Sequence, residues 1–345
     1  MQIKTYTSVE RQSWDDYVSS HPAGTIFHTR SWLDAICVSY GHQEHSLLLV
    51  SSGNKRKKME GILPLFQIKS YLFGNYLVSI PFAEQGGPIG DDQEASLHLA
   101  EQAVQISRDQ NLDYLELRNK EPLPDFRSKD LYFGFQREIL PELEDNLKAI
   151  PRKSRRMVRQ GIKNQLQVCT GNHLLPQFYS LLARNFRSLG TPIFPYIWFE
   201  SLLRAFGDQA LVLLIQDREG AYIAGVLSFF YRDRVLPYYA GSLLQYRNLA
   251  PNDFMYWKLM EYAWERGYKV FDFGRSKKNT GSYSFKTHWG FEPTPLSYQY
   301  FLHKKKELPD ITPANSKYRL PMKIWRKIPL SLTMLVGPKI SKYLC

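Results

Sequence analysis

Between Phe271 and Phe291 the chain reads FDFGRSKKNTGSYSFKTHWGF, a run dense in side chains able to do chemistry. On a regular strand, Asp272 and Gly274 alternate with Phe271, Phe273 and Arg275. Asp272, as orienter or base, and Arg275, as an anion grip, then face opposite sides. They converge only if Gly274 makes a bulge. SKKNTGSYS, ending in Tyr283 and Ser284, reads as a flexible polar loop, followed by Phe285-Lys286 and His288-Trp289-Gly290-Phe291. A loop of Arg, Lys, Asn, Ser, Tyr and His after a buried strand can cradle a phosphate or an ester. An ordinary surface loop with a hydrophobic anchor has the same composition. His288, with a reference pKa near neutrality, is a second candidate base.

Two other stretches carry charge with a pattern. In IPRKSRRMVRQGIKNQ, Pro151 can open a helix at its first position. Arg152, Arg155, Arg156, Arg159 and Lys163 then fall at i, i+3, i+4, i+7 and i+11, on one stripe. With no acid to pair them they repel one another, so the stripe calls for an anion; a solvated linker helix is the other reading. In RNLAPN, Arg247 is placed to grip an anion. Asn252 or Asp253 is expected to cap the helix that follows, and Asn252 is also a candidate substrate contact. His42 and His45 lie three apart with no acid or Cys cluster to complete a metal site, so no metal is expected. The chain has no GxSxG, P-loop or GxGxxG, and Gln85-Gly86-Gly87-Pro88-Ile89-Gly90 places Pro where a coenzyme A loop needs Gly.

The chain has 345 residues, which fits two domains. Its net charge of +12 is local. Nine Lys or Arg and no acid lie in 146–199, and ten Lys or Arg against two acids lie in 303–345. Local basic charge points to nucleic acid, anionic lipid or an anionic substrate. The three cysteines are far apart and suggest a reducing, cytoplasmic setting. The N-terminus lacks the apolar core of a signal peptide, and no apolar run is long enough to span a bilayer. Peripheral contact with an anionic membrane is expected of the tail segment WRKIPLSLTMLVGPKISKYL.

The elements that must position these residues come twice. The first half reads as helices (Trp14–Ser20, Arg30–Tyr40), a strand meander joined at Ser52-Gly53-Asn54-KRKK, a helix from Gln93, and strands at Tyr114–Arg118 and Leu131–Glu138. The second repeats helices, meander, a helix from Asn252, and strands at Val270–Phe273 and Leu296–Leu302. Gly61–Leu65 recurs at Gly225–Phe229, Leu115–Arg118 at Asp272–Arg275, and Phe133–Gln136 at Trp289–Glu292, with offsets of 164, 157 and 156. A shared order with drifting offsets is what a diverged duplication leaves. The order is that of the GNAT acyltransferase fold, in which two central strands splay to admit the acyl donor. The expectation is therefore α+β, with two tandem GNAT-like domains of mixed, mostly antiparallel sheets flanked by helices: 1–150, 151–303, and a basic tail, 304–345.

DFGRS (Asp272 to Ser276), NTGSYSFK (Asn279 to Lys286) and Trp289-Gly290 resemble the Fem-type proteins of the GNAT superfamily, in particular the branch associated with exopolysaccharide and PEP-CTERM sorting systems. LPLF, KSYLFGNYLVSIPF, the GGP at Gly86 to Pro88, LELR, RRMVRQGIKN, SLGTP, YYAGS (which contains Tyr239) and the tail WRKIP…VGP extend the resemblance over nearly the whole chain. Characterised Fem enzymes move an amino acid from aminoacyl-tRNA to the amine of a cell-wall peptide precursor. The family's FK pair matches Phe285-Lys286. By that likeness Lys286 stabilises negative charge developing at the tRNA ester; Arg275, Arg247, Phe285, Tyr283, Asn252 and Tyr239 are the candidate substrate contacts. No bound cofactor is implied; the donor is aminoacyl-tRNA or acyl-CoA. No match fixes a peptidoglycan-precursor site in the first half, so a polysaccharide amine or hydroxyl stays open as acceptor. An acyl-CoA-dependent N-acyltransferase and a non-catalytic basic scaffold for RNA or membrane are the alternatives, and no stable protein partner is deducible.

Overall fold

The computed structural model describes residues 2–51, 58–71, 73–309 and 316–344. Its first half runs β1 (Gln2–Thr5), α1 (Arg11–Ser20), α2 (Arg30–Tyr40), β2 (Gln43–Glu44), β3 (Leu47–Val50), β4 (Met59–Leu63), β5 (Phe66–Ser70), β6 (Gly74–Val78), β7 (Ile89–Gly90), α3 (Gln93–Asp109), β8 (Tyr114–Asn119), β9 (Arg127–Lys129) and β10 (Tyr132–Glu138). The second runs α4 (Leu143–Ala149), α5 (Arg152–Lys163), β11 (Gln167–Thr170), α6 (Leu175–Leu189), α7 (Tyr196–Phe206), β12 (Ala210–Gln216), β13 (Tyr222–Tyr231), β14 (Arg234–Ser242), α8 (Pro251–Glu265), β15 (Val270–Lys277), α9 (Gly281–His288), β16 (Pro293–Pro295), β17 (Ser297–Leu302), α10 (Ser316–Trp325) and α11 (Leu330–Ser341). The expected turn at 52–54 and Lys55, Arg56 and Lys57 of its KRKK lie outside the described residues.

The halves correspond element by element. The strand–helix–helix opening β1-α1-α2 recurs as β11-α6-α7, β3 as β12, β4 and β5 as the two parts of β13, β6 as β14, α3 as α8, and β8 as β15. The chain carries two tandem GNAT-like domains in an α+β fold. The opening strands β1 and β11 were not expected from the sequence. Each has four residues and pairs antiparallel with β3 or β12 respectively.

The compact units do not follow the expected boundaries. Unit 1 holds 1–132, 295–312 and 342–345; unit 2 holds 133–294 and 313–341. The division moves from 150 to 132 because Phe135, Ile139 and Ile150 lie in one apolar core with Val158, Leu213, Met260 and Phe273. β10, made by the first half, joins the sheet β11-β12-β13-β14-β15-β10-β16. β17, made by the second, joins β2-β5-β6-β8-β17-β9, pairing antiparallel with β8 from Ser297↔Asn119 to Leu302↔Tyr114. Each of these two sheets is thus completed by a strand from the other half, whereas the sheet β1-β3-β4-β7 is made by the first half alone. The tail folds as well: α10 and α11 belong to unit 2.

The His42–His45 pair is accounted for inside unit 1. His42 is buried and its Nε2 lies 3.0 Å from the Lys342 carbonyl; His45 bonds Gln67. Burial, with the nearby Lys342 charge, pushes His42 down to about 4. The unfolded ring takes up its proton near pH 6.5 and the folded ring only near 4, so stability falls as pH drops through that window. Urea unfolding at pH 7.5 and 4.5 is expected to show about 2–3 kcal/mol of this loss, and His42→Gln to remove it. An equal acid loss in His42→Gln would refute the assignment.

Candidate functional site

In unit 2 the parallel strands β14 and β15 pair only at Arg234↔Val270 and Val235↔Phe271. Both strands then break. On β14, Pro237 has no N–H to offer the ladder, and the β13–β14 register shifts at Leu227/Ser228, where Ser228 faces Pro237 and Leu227 faces Tyr239. On β15, Gly274 takes φ +63°, a conformation an L side chain resists. The strands part beyond these points and leave a wedge. Tyr239 enters it from β14, buried, its hydroxyl accepting a bond from Trp198 Nε1 at 2.9 Å. Burial raises its pKa, while the nearby charge of Arg275, from β15, acts to lower it. Next to Arg275, the Ser276 hydroxyl is buried and has no hydrogen-bond partner among the described residues. Tyr239 and Arg275 thus bring a phenol and a cation near one another, a pair suited to an ester or carbonyl oxygen that gains negative charge.

Gly274 makes the break that convergence of Asp272 with Arg275 required, but it turns Asp272 elsewhere. The Asp272 carboxylate accepts from the Gly274 amide at 2.9 Å and stands 3.5 Å from Arg234 at the closed end of the wedge. Burial raises its pKa, and the Gly274 amide, Arg234 and Lys286 pull it back. Lys286 is 8% exposed, and its ammonium donates to the carbonyls of Phe273 (2.6 Å), Gly274 (3.1 Å) and Arg275 (2.9 Å). Three successive carbonyls can converge on one cation only because Gly274 breaks the pleat.

The expected flexible loop after β15 is largely helical. Thr280 caps α9 by accepting from the Tyr283 amide, and the helix carries Lys286 inward. Tyr283 packs edge-on against Phe133 and Phe135, and Phe285 lies tilted against Tyr256 and Trp289, so both rings serve as packing. His288 is exposed on the last turn, and its carbonyl accepts from Ser154.

Residues 145–287, which hold the wedge and nearly all of α9, match the family model of the acetyltransferase (GNAT) domain. A segment of 90 residues is 33% identical to the lipid II:glycine glycyltransferase of Staphylococcus saprophyticus, covering 24% of this chain and 22% of that protein. A segment of 79 residues is 32% identical to the enzyme of the same name from Staphylococcus aureus, covering 21% and 19%. The chain thus spans about a fifth of the length of these curated relatives. The crystal structure of FemX superposes with a TM-score of 0.66 at 15% identity, covering 93% of this chain and 100% of that one. The chain thus carries a segment that matches the GNAT domain and shares the fold of FemX. A tandem GNAT protein from the clavulanic acid biosynthesis pathway shares the fold, with a TM-score of 0.53 at 12% identity over 89% of this chain and 99% of that one.

The first unit's counterpart of the wedge is closed. β6 and β8 also pair at two positions, Leu77↔Leu115 and Val78↔Glu116. There the segment after β6 fills the gap: the Ser79 amide bonds the Glu116 carbonyl, and the Gly86 and Gly87 amides both bond that of Arg118. Arg118, the repeat partner of Arg275, is buried on Glu116 and the Ala83 carbonyl. The Gly86-Gly87 amides are therefore committed and form no phosphate loop.

The start of α8 differs from expectation too. Its cap is Ala250, in left-handed conformation, so neither Asn252 nor Asp253 caps it. Pro251 removes one first-turn amide, and Asp253, accepting from Trp289 Nε1 at 2.9 Å, sets an acid where a diphosphate would seek helix amides. Asn252 is half-buried in that first turn, and Arg247 is exposed on the preceding 3-10 turn.

On α5, Gly161 and Val158 face inward; a side chain at Gly161 would collide with Phe254. Arg152, Arg156, Arg159 and Lys163 are exposed with no ion-pair partner among the described residues, whereas Arg155 donates to the Lys148 carbonyl. All five cations of the stripe keep their charge, four of them exposed, and exposed Lys153 lies beside them. A cavity of 520 Å³ opens between α6, the start of β13 and the segment after β14, lined by Gln177, Ser180, Arg184, Tyr222, Gln245 and Tyr246 among others. No residue chosen from the sequence lines it. Gln177, Ser180 and Arg184, at i, i+3 and i+7 on one face of α6, were the signal available.

Proposed function

We propose that this chain is a FemAB-like aminoacyltransferase that moves an aminoacyl group from aminoacyl-tRNA to an amine, or a hydroxyl, of a cell-envelope or exopolysaccharide precursor. The observation that carries the reading is the parting of β14 and β15 in unit 2, with Tyr239 and Arg275 beside it, inside the segment that matches the GNAT domain. The likeness to lipid II:glycine glycyltransferases supports an envelope precursor as acceptor.

The acceptor amine attacks the ester carbonyl. A C–N bond forms, the C–O bond to the ribose breaks, and the amine's proton leaves with the ribose oxygen. Tyr239 and Arg275 stabilise the oxyanion between these steps. Lys286 works by position: it gathers the three carbonyls that fix the Gly274 break and so aims Arg275. Asp272 orients the same turn through the Gly274 amide. The reading gives exposed His288 no proton to carry. The Pro251 and Asp253 start of α8 weighs against an acyl-CoA donor.

The exposed cations of α5 follow one another at four, three and four residues, or about 4.5–6 Å along the axis, a spacing that suits the phosphates of a nucleic-acid backbone. Arg156→Glu with Arg159→Glu is expected to weaken aminoacyl-tRNA binding at least about tenfold and to reduce the salt slope by about 2. An unchanged slope in a filter-binding titration would remove α5 from the donor site.

The whole reading is tested by giving the purified protein labelled aminoacyl-tRNA and labelled acyl-CoA beside envelope extracts. Label moving from tRNA, and lost on ribonuclease treatment, is the expected result. Label moving from acyl-CoA alone, or from neither donor, overturns it.

A further inference from the structure

The C-terminal helices present an inverted polarity. α11 turns Thr333, Gly337 and Ser341 inward, small residues recurring every four positions. Gly337 sits so close to the Ile193 backbone that a Cβ would stand 3.0 Å from its nitrogen. The leucines point the other way: Leu332 is 45% and Leu335 66% exposed. A surface helix of a water-soluble domain places these two classes oppositely. α10 repeats the feature. It buries Trp325 and sets Met322 against Gly190, while Leu320 (66%) and Ile324 (54%) face outward, one turn apart. Arg319 and Lys323 are exposed one turn apart on α10, and Lys327 is exposed in the turn that follows it. Across 313–341 there are six Lys or Arg and no Asp or Glu. The pair is anchored to unit 2, with Arg187 Nε donating to the Ile328 carbonyl at 2.6 Å and Arg326 Nη2 to that of Leu189 at 3.1 Å. Leu189 is itself exposed.

We infer that α10 and α11 form a docking face for an anionic lipid bilayer, lying in the plane of the headgroups. Outward leucines reach the acyl boundary, and lysines and arginines beside them meet lipid phosphates. Charge decides among occupants. A second copy packed by two-fold symmetry would bring like cations against like. A nucleic acid would find cations but no use for four exposed aliphatic side chains. The helices lie on the bilayer rather than cross it, since α11 has 12 residues and no described helix is long and apolar enough to span. The inference stands apart from the transfer reading, because docking is measured without turnover.

The test is flotation of the full chain with vesicles of phosphatidylcholine, alone or with phosphatidylglycerol. The chain is expected to float with the anionic vesicles only. Lys323→Glu with Lys327→Glu is expected to weaken binding at least about tenfold, and Leu332→Ser with Leu335→Ser by a similar factor. Both pairs are exposed, so melting should not change. Val9→Ser, an exposed position of unit 1, should bind as the parent does. Failure of the parent chain to float overturns the inference, as does full binding by the leucine variant, which would reduce the effect to charge alone. A parent dimer that Leu332→Ser with Leu335→Ser turns into monomer also overturns it, assigning the face to a second copy.

Discussion

Replacing Lys286 by methionine is expected to lower the unfolding midpoint of unit 2 by roughly 6–12 °C and to abolish transfer. Methionine fills the stem's volume but leaves the carbonyls of Phe273, Gly274 and Arg275 without their cation. Each buried polar group so orphaned costs about 1–3 kcal/mol, and water entering the wedge relieves part of that, leaving about 3 kcal/mol. For a unit of this size 1 kcal/mol moves the midpoint by about 2–4 °C. Lys286→Arg keeps the charge, but a planar fork cannot reproduce one ammonium on three converging carbonyls, so partial rescue of melting is expected. The measurement is calorimetry beside steady-state kinetics. Lost transfer with unaltered melting would mean that the ammonium faces substrate, the role the Fem resemblance gives it, and that positioning is not its work.

Replacing Arg275 by methionine is expected to do the reverse: kcat falls about 100-fold, with KM and melting nearly unchanged. A donor to a developing oxyanion acts in the transition state and little in the ground state, so its loss appears in kcat. Tyr239→Phe should lower kcat similarly, and the double variant by less than the product, because both address one oxygen. If Arg275→Met instead raises KM at constant kcat, Arg275 holds the bound donor and takes no part at the reacting oxygen.

The duplication was legible because β8 and β15 keep LELR and DFGR at matching places, and buried meander strands read as apolar runs. The wedge was legible in part. Gly274 announced a break in β15, but the sequence did not say that the break would turn Asp272 toward Arg234 and gather carbonyls on Lys286. α9 was hidden because its stretch is polar and opens with Gly281, and only Thr280, three residues before Tyr283, marked a cap. β1 and β11 are too short for alternation to show. The placement of β10 and β17 was not legible at all. Strand pairing over such separations is decided by which core a side chain completes, and Phe135 completes that of unit 2.

The placement of β17 also sets an order of events during synthesis. Unit 2 receives β10 before its own strands exist, whereas the β8 edge of unit 1 stays open until residue 302 has been made. At ~5–20 residues per second that interval is about 10–30 s. For that time the first half has a bare sheet edge beside a formed apolar layer, the state in which a nascent chain is most prone to pair with a neighbour. The second half therefore acts, in cis, as the chaperone that closes the first.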